Sequence, residues 1–258
     1  MKKSNHNAFH KLPILDGLEL LYAKHHTQDF PFHTHNSFNI TLVLEQSFTT
    51  RLSDHEYMAS PGAIVITNPV EVHATICDNK SGSSFFTFYV SPDVLTTLNS
   101  KRPVLFYNKI ISDQHLFRQL QAISREDYTS GNNIEKKLVH TLQQLVSGYA
   151  NDTNTPDNKK RLFHSFLEET DLEKFSLENT ASKFGLDKYK FLRLFKQETG
   201  LTPNNYIILK RIEKCKELLL TQDDLLDIAI QTGFYDATHL CKYFKKITGI
   251  TPLAYRQA

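Results

Sequence analysis

Two stretches near the end of the chain carry the same pattern, and this pattern decides the fold. GLDKYKFLRLFKQETGLTPNNYI runs from Gly185 to Ile207, and GFYDATHLCKYFKKITGITPLAYR runs from Gly233 to Arg256. At an offset of 49 residues, the positions of the first stretch that are identical in the second are Asp187, Phe195, Lys196, Thr199, Gly200, Thr202, Pro203 and Tyr206. The chain therefore repeats one supersecondary unit.

Each copy reads as a short helix, a turn, a longer helix and a Gly-x-Thr-Pro stop. Gly185 and Gly233 suit the positive φ of a sharp turn. Asp187 and Asp236 follow, where an acidic side chain caps the free N–H groups of the next helix. Glycine then ends that helix and proline begins another in both copies. The pattern predicts two helix-turn-helix motifs, a form that usually places its second helix in the major groove of DNA.

The second helix of each copy has one outward face, found by stepping i, i+3, i+4 and i+7 along it. This face consists of Tyr189, Leu192, Arg193 and Lys196 in the first copy and of Thr238, Cys241, Lys242 and Lys245 in the second. Two of the four residues are cationic in each copy, which favours contact with phosphates and base edges. On a single helix, a charged face is equally typical of a surface that only contacts water. Because the same pattern occurs in two copies, DNA binding is the favoured interpretation.

The segment from Pro203 to Leu220 joins the two copies and has apolar residues at helical intervals. As a single helix it would be about 27 Å long. With its flanking turns, it would hold the two outward-facing helices roughly 34 Å apart, which is one turn of the duplex. One chain would then contact two successive major grooves on one side of the DNA.

The composition describes a globular protein of two domains. The chain has 258 residues, 40% hydrophobic and 22% charged. It has no apolar run of about 18 residues and no charged-then-apolar leader, so neither membrane contact nor secretion is expected. Three cysteines without CxxC spacing indicate reduced thiols of a cytoplasmic protein. Residues 1–158 have 13 Lys and Arg against 15 Asp and Glu, and residues 159–258 have 17 against 13. The basic end favours an anionic partner.

A polar segment with Pro156 indicates a linker at residues 151–160, between a first domain at 1–150 and a second at 161–258. Short β-rich runs between residues 18 and 90 predict an antiparallel sandwich or small barrel. Helical spacing follows from Pro92 to Tyr149. The apolar stripes between Asp113 and Tyr149 exceed what one face of a barrel needs to bury, which predicts the surface of a homodimer.

The last hundred residues, above all AIQTGFYDATHLCKYFKKITGITPLAYR, closely resemble the AraC/XylS family of bacterial transcription regulators. The resemblance implies base contacts from Tyr189, Leu192 and Arg193 in the first copy and from Ala237, Thr238, His239, Cys241 and Lys242 in the second. The chain departs from the pattern of this family at two positions. Cys215 lies where alanine is usual, and Leu192 lies where a polar side chain would be expected to contact a base. The implied fold class is α+β: a cupin-like β-barrel with helices, then an all-α domain of two helix-turn-helix motifs joined by a linker helix.

The first domain resembles, more loosely, the cupin-like sensor domain of the arabinose-regulator branch. The matching stretches are FHTHNSFNITLVLE and SPGAIVITNPVEVHA. Cupin enzymes hold a metal with such histidines, but the acidic ligand expected after the second histidine is replaced by Asn39. We therefore expect no metal or other cofactor and assign the site to a small organic effector. The expected effector-binding residues are His33, His35, Asn39, Thr41, His73, Phe86 and Phe88. The alternative that these residues form only the core of the barrel, with no ligand, remains open.

These observations predict a sequence-specific, cytoplasmic transcription regulator that is not an enzyme. Its expected partners are promoter DNA, a small-molecule effector such as a sugar, RNA polymerase and a second copy of the chain. Activation is the commoner outcome in the family that the chain resembles. One alternative is a metal-dependent cupin enzyme with a helical appendage. Another is a regulator that a protein partner controls without small-molecule sensing.

Overall fold

A computed structural model of the chain describes residues 6–77, 80–128, 131–152, 163, 175–221 and 223–258. Backbone contacts divide the chain into two compact units, one of residues 1–29 with 34–156 and one of residues 30–33 with 157–258. The division after residue 156 falls inside the expected linker. Residues 151 and 152 of that linker form a short strand, and residues 153–160 lie outside the described ranges.

The β domain contains two antiparallel sheets. The strands of the chain are β1 His6–Leu12, β2 Leu18–His26, β3 Phe30–His33, β4 Phe38–Glu45, β5 Phe48–Arg51, β6 Glu56–Ala59, β7 Ile64–Thr67, β8 His73–Ile76, β9 Ser83–Val90, β10 Val104–Leu105, β11 Ile110–Ile111 and β12 Asn151–Asp152. All of them lie in the first compact unit except β3, which belongs to the second. The larger sheet has the order β1-β2-β9-β4-β7-β11, and in the second sheet β8, β5 and β6 are neighbours in that order. Strands β10 and β12 pair separately.

Three helices, α1 Pro92–Leu98, α2 Gln114–Ile123 and α3 Gly131–Tyr149, cover one face of the larger sheet. Because side chains alternate along a strand, the even-numbered apolar residues of β2, β4 and β9 all reach this face. Leu20, Ile40 and Phe88 are buried there in one cluster with Leu120 and Leu138 of the helices. The apolar stripes of α2 and α3 are thus used by the core of the domain itself. The expectation that these stripes exceed the apolar area that the domain itself buries is wrong.

The six β-rich runs of the sequence correspond to β2, β4, β5, β7, β8 and β9, which confirms the predicted sheet. The two-residue strands β10, β11 and β12 were not predicted, nor were three longer strands, β1, β3 and β6. Strand β1, HNAFHKL, has only one buried residue, Leu12, and strand β3 contains Pro31. Strand β6 keeps Met58 exposed, so its pattern does not alternate between apolar and polar side chains. Weak apolar patterning explains the omission of the three longer strands.

The helical domain contains the two predicted motifs. Its helices are α4 Leu177–Lys183, α5 Lys188–Thr199, α6 Pro203–Leu218, α7 Leu225–Gln231, α8 Ala237–Thr248 and α9 Pro252–Gln257. Helices α4 and α5 form the first motif, α7 and α8 form the second, and α6 joins them. Within the described ranges, the chain has no helix that combines the length and the apolar character needed to cross a membrane.

The turns and stops of the repeat adopt the predicted backbone. Gly185 and Gly233 have φ of 65° and 78° in the two turns. Gly200 and Gly249 end α5 and α8 in the left-handed conformation, with φ of 76° and 80°. A residue with a Cβ is strained in this region, so glycine at these positions lets each helix end sharply.

Candidate functional site

Helices α5 and α8 are held in the same way at both ends. The Asp187 carboxylate accepts hydrogen bonds from the Tyr189 and Lys190 backbone N–H groups, at 2.9 and 3.0 Å. The bond from Lys190 and the other N–H bonds at this cap lower the pKa of Asp187. The Asp236 carboxylate accepts a bond of 2.7 Å from the His239 N–H. Both helices therefore begin at a fixed residue and present the same face in each motif.

The inward faces of α5 and α8 anchor the two helices in the domain. Phe191 and Phe195 of α5 are fully buried, and both rings contact Phe163 at centroid distances of 5.3 and 5.6 Å. In α8, Leu240 and Phe244 are fully buried. Phe244 also contacts Tyr255 edge to face at 5.5 Å. Burial of one stripe leaves the opposite stripe of each helix facing outward.

The outward stripes carry the predicted cations, and we call these stripes the recognition surface. Its exposed members are Tyr189, Arg193 and Lys196 on α5 and Thr238, Lys242 and Lys245 on α8. In the part of the chain that the structure describes, no acidic side chain pairs with any of these four cations. The charges are available to an external anion. Lys188, beside the surface, instead pairs with Glu178 at 3.5 Å.

Four of the residues assigned to base contact are only partly exposed: Leu192, Ala237, His239 and Cys241. The His239 ring lies 5.5 Å from Phe234 and 5.0 Å edge to face from Tyr243. Its Nδ1 also accepts a bond of 3.4 Å from the Tyr235 N–H. His239 thus helps to fix the turn. Burial raises the pKa of the Cys241 thiol, consistent with packing at the edge of the core.

Sequence reasoning missed Tyr235, which is 89% exposed in the turn before α8. An aromatic side chain so exposed is unusual in a globular domain. The signal was present in the sequence, because Tyr235 separates the turn glycine from the capping aspartate, where no core contact requires an aromatic residue. Its side chain is exposed directly before Asp236, the capping residue of α8.

Helix α6 is fixed against α7 by a buried polar contact. The Cys215 thiol donates to the Thr232 hydroxyl at 3.1 Å, and that hydroxyl donates to the Ile228 carbonyl at 2.6 Å. Burial raises the pKa of Cys215 to about 11, so the thiol stays protonated. Cysteine in place of the usual alanine is thus accommodated by a hydrogen bond in the core. The contact fixes one end of the connecting helix.

The first compact unit brings together four of the seven residues expected to bind an effector, whereas His33 belongs to the second unit. The His35 and His73 rings lie 5.4 Å apart between centroids. Asn39 is buried, and Thr41 shares a hydrogen bond of 2.9 Å with Thr87 on the same face of the larger sheet. The His73 Nδ1 lies 2.9 Å from the Glu71 carbonyl, and desolvation lowers the pKa of His73. Burial therefore favours the neutral form of the His73 imidazole.

Phe86 and Phe88 are separated from that group and require a correction. In β9 they alternate with Thr87, so they point to the opposite face of the sheet. Both belong to the core cluster that packs against α2 and α3. Phe88 is fully buried there, and Phe86 lies at the edge of the cluster, with its ring 6.3 Å from Tyr22.

Family models match both domains. Residues 17–149 match a model described as the AraC-like ligand binding domain, and residues 180–258 match a helix-turn-helix domain. The uncharacterized HTH-type transcriptional regulator YbfI of Bacillus subtilis is 28% identical over 83% of this chain and 82% of its own length. The HTH-type transcriptional activator RhaS of Escherichia fergusonii is 28% identical over 88% of each chain.

Solved structures of similar fold include ToxT of Vibrio cholerae. An apo form has a TM-score of 0.57 with 14% sequence identity, over 99% of this chain and 97% of that one. A form with a bound unsaturated fatty acid has a TM-score of 0.54, also at 14% identity, over 98% and 96%. At this identity, the likeness confirms the two-domain fold.

Proposed function

We propose, from the premise that this chain belongs to the AraC family of DNA-binding transcriptional regulators, that its two recognition helices read two successive major grooves and that a small molecule controls its occupancy of promoters. The domain at residues 1–150 would bind the effector, and the domain at 161–258 would bind DNA. A ligand changes DNA occupancy only through different affinities for two arrangements of the protein.

One observation carries the DNA-binding proposal. Arg193 and Lys196 on α5 have counterparts in Lys242 and Lys245 on α8, at the same positions of two helices with the same caps and stops. All four cations face outward without an acidic partner in the described chain. A solvated helix would gain by pairing some of them at i, i+4 spacing. Unpaired cations on two matched helices favour a polyanion with a repeating structure.

The finer features of the proposal are as follows. Tyr189, Arg193, Thr238 and Lys242 would contact base edges, and Lys196 and Lys245 would contact phosphates. The protein would work as an activator, as the name of the similar RhaS protein suggests. It would do so in the cytoplasm, with RNA polymerase as a partner. Its effector would be a small molecule, such as a sugar. It would act as a homodimer, which sedimentation of the full chain tests.

The regulator proposal is better supported than a metal-dependent enzyme with a helical appendage. Two proteins that match most of this chain are named as transcriptional regulators, and the family models cover a ligand-binding domain and a DNA-binding domain. Elemental analysis of the purified protein tests the enzyme alternative. A regulator controlled by a protein partner would show no change in melting temperature with any member of a library of sugars, fatty acids and aromatic acids.

The DNA-binding proposal is tested with duplexes selected by the full-length protein from a random pool. Substitution of Arg193→Ala or Lys242→Ala should weaken binding by about 1–3 kcal/mol, because each removes a base contact. The matched control is Lys214→Ala, since Lys214 lies on α6 and is already paired with Glu217 at 2.8 Å.

Gel shifts should give the control variant the affinity of the unchanged protein. Affinity should also fall steeply as salt increases, because phosphate contacts release counterions. If neither Arg193→Ala nor Lys242→Ala alters affinity for the selected duplex, the recognition surface is wrongly placed. If no duplex is enriched from the pool, the protein is not a sequence-specific DNA-binding protein.

A further inference from the structure

The turn of the second motif contains one residue more than the turn of the first. Leu186 in the first turn and Phe234 in the second each donate a backbone hydrogen bond to a carbonyl of the preceding helix, at 3.0 and 2.8 Å. The two residues therefore occupy equivalent places. Leu186 is followed directly by the capping residue Asp187, but Tyr235 lies between Phe234 and the cap Asp236. Tyr235 is thus an addition that the first motif lacks.

The backbone of Tyr235 is fixed by its neighbours on both sides. Phe234, directly before it, is 3% exposed, and the Arg211 guanidinium lies over the Phe234 ring, 5.9 Å from its centroid. The Tyr235 N–H donates to His239 Nδ1 at 3.4 Å, which ties the added residue to the first turn of α8. The His239 ring in turn packs edge to face against Tyr243 at 5.0 Å. The place from which the Tyr235 side chain departs is therefore defined.

The side chain of Tyr235, by contrast, has no partner of its own in the domain. It is 89% exposed, more than any other large apolar or aromatic side chain in the described ranges. Within those ranges, no group forms a hydrogen bond with its hydroxyl and no ring packs against it. An exposed ring contributes little to folding, so the stability of the domain does not explain a tyrosine at this place. A contact with another molecule would explain it.

When the second motif binds DNA, the turn that contains Tyr235 lies at the edge of the major groove. The first helix of such a motif crosses the DNA backbone, and the second helix lies in the groove. The groove is about 12 Å wide, and a helix with its side chains is about 10–12 Å across. The recognition helix α8 would therefore fill the groove. A side chain that departs from the preceding turn instead reaches the sugar–phosphate backbone that borders the groove.

We propose that Tyr235 contacts this backbone and that its hydroxyl donates a hydrogen bond to a phosphate oxygen. The inference rests on the proposed function, to which it adds a DNA-binding residue that the matched positions of the repeat did not include. Tyrosine is among the side chains that bind DNA phosphates, and such contacts fix the register of a protein without reading bases. A neutral hydroxyl also releases no counterion from the DNA, unlike the ammonium group of Lys245. Because the first motif has no equivalent residue, only the second motif gains this contact.

The experiment uses the full-length protein and the duplex that it selects from a random pool. Tyr235→Phe removes the hydroxyl and keeps the ring, so affinity in gel shifts should fall about tenfold, as expected for a hydrogen bond to a charged acceptor. The slope of log affinity against log salt concentration should stay unchanged, whereas Lys245→Ala should reduce it by about 1. The matched control is Tyr107→Phe, since Tyr107 is an exposed tyrosine of the β domain. This control should bind as tightly as the unchanged protein.

Ethylation of single phosphates in the same duplex locates the contact. Ethylation blocks an oxygen and removes the charge, so one phosphate beside the half-site of the second motif should interfere with binding of the unchanged protein. Tyr235→Phe should be insensitive to ethylation of that phosphate and keep its sensitivity at the others. Its melting temperature should equal that of the unchanged protein, because the hydroxyl has no partner within the described ranges.

Loss of affinity together with loss of interference at one phosphate supports the proposal. Unchanged affinity of Tyr235→Phe overturns it, as does weaker binding with an unchanged interference pattern or with a lowered melting temperature. Arg193→Ala and Lys242→Ala are measured on the same duplex. If neither weakens binding, the proposed function fails, and this inference fails with it. If both weaken binding and Tyr235→Phe does not, only this inference is overturned.

Discussion

At the scale of single residues, burial assigns different roles to histidines that look alike in the sequence. His73 is 4% exposed, and its Nδ1 lies 2.9 Å from the Glu71 carbonyl. Desolvation lowers its pKa below the ordinary value of 6.5, against smaller opposing effects of the Glu71 carbonyl and carboxylate, while Lys109 adds to the lowering. His55, by contrast, is exposed and lies 2.7 Å from Asp54. Burial of the His73 ring thus opposes its protonation in the folded chain.

This difference predicts a pH dependence of stability. Because the folded-state pKa of His73 is below the unfolded value, the unfolded chain binds the proton more readily as pH falls through about 6.5. The free energy of unfolding should therefore decrease between about pH 7.5 and about pH 5.5, the range in which histidine titrates. His73→Asn, which keeps a donor near the Nδ1 position, should show a smaller decrease when melting temperature is measured across this range. An equal decrease in both proteins would show that His73 does not contribute.

Residue-level prediction failed where it depended on strand register. Asn39 and Thr41 were placed correctly on one face because they lie two apart on a single strand. Phe86 and Phe88 were assigned to the same site, but their face depends on which residues of β9 oppose β4. A one-residue change of register exchanges the two faces of a strand, and local sequence patterns do not determine that register. The β-bulge between Val43 and Glu45 of β4 could not be predicted for the same reason.

At the scale of elements, the helical domain was the more predictable half. Its caps, turns and stops are local, because each depends on a side chain and backbone groups within four residues. Thr202 and Thr251 each accept a bond from an N–H three residues later, at 3.3 and 3.2 Å. The sheets depend on pairings between distant strands, such as β2 with β9, so their order could not be obtained from local patterns.

The cap of the second recognition helix gives a prediction at this scale. Asp236→Ala removes the acceptor of the His239 N–H and should destabilise the helical domain by about 0.5–2 kcal/mol. Asp236→Asn keeps an oxygen acceptor at the same place and should cost less than half as much. Urea unfolding followed by helical circular dichroism measures both, and gel shifts should show weaker DNA binding for Asp236→Ala in particular. Equal stability of the two variants would mean that the side-chain cap does not hold the start of α8.

At the scale of the whole molecule, the repeat matters because a helix of fixed length joins its two copies. Helix α6 spans Pro203–Leu218, and the buried contact of Cys215 with Thr232 ties its end to the second motif. The predicted linker helix extended to Leu220, two residues beyond the observed end, a difference typical of helix termini. The two recognition helices are thus connected by a rigid element rather than by a flexible chain.

This rigidity predicts that the spacing of the DNA half-sites is fixed. Insertion of about 5 base pairs, half a duplex turn, between the half-sites of the selected duplex should rotate one groove away from its helix and weaken binding. The same insertion outside the half-sites is the control and should have no effect.

Gel shifts with Arg193→Ala and Lys242→Ala add a sharper test. On the unchanged duplex both substitutions should weaken binding, because both helices are seated. On the duplex with the internal insertion only one helix can be seated, so one of the two substitutions should cause no further loss. If both substitutions still weaken binding to the interrupted site, α6 does not fix the distance between the recognition helices.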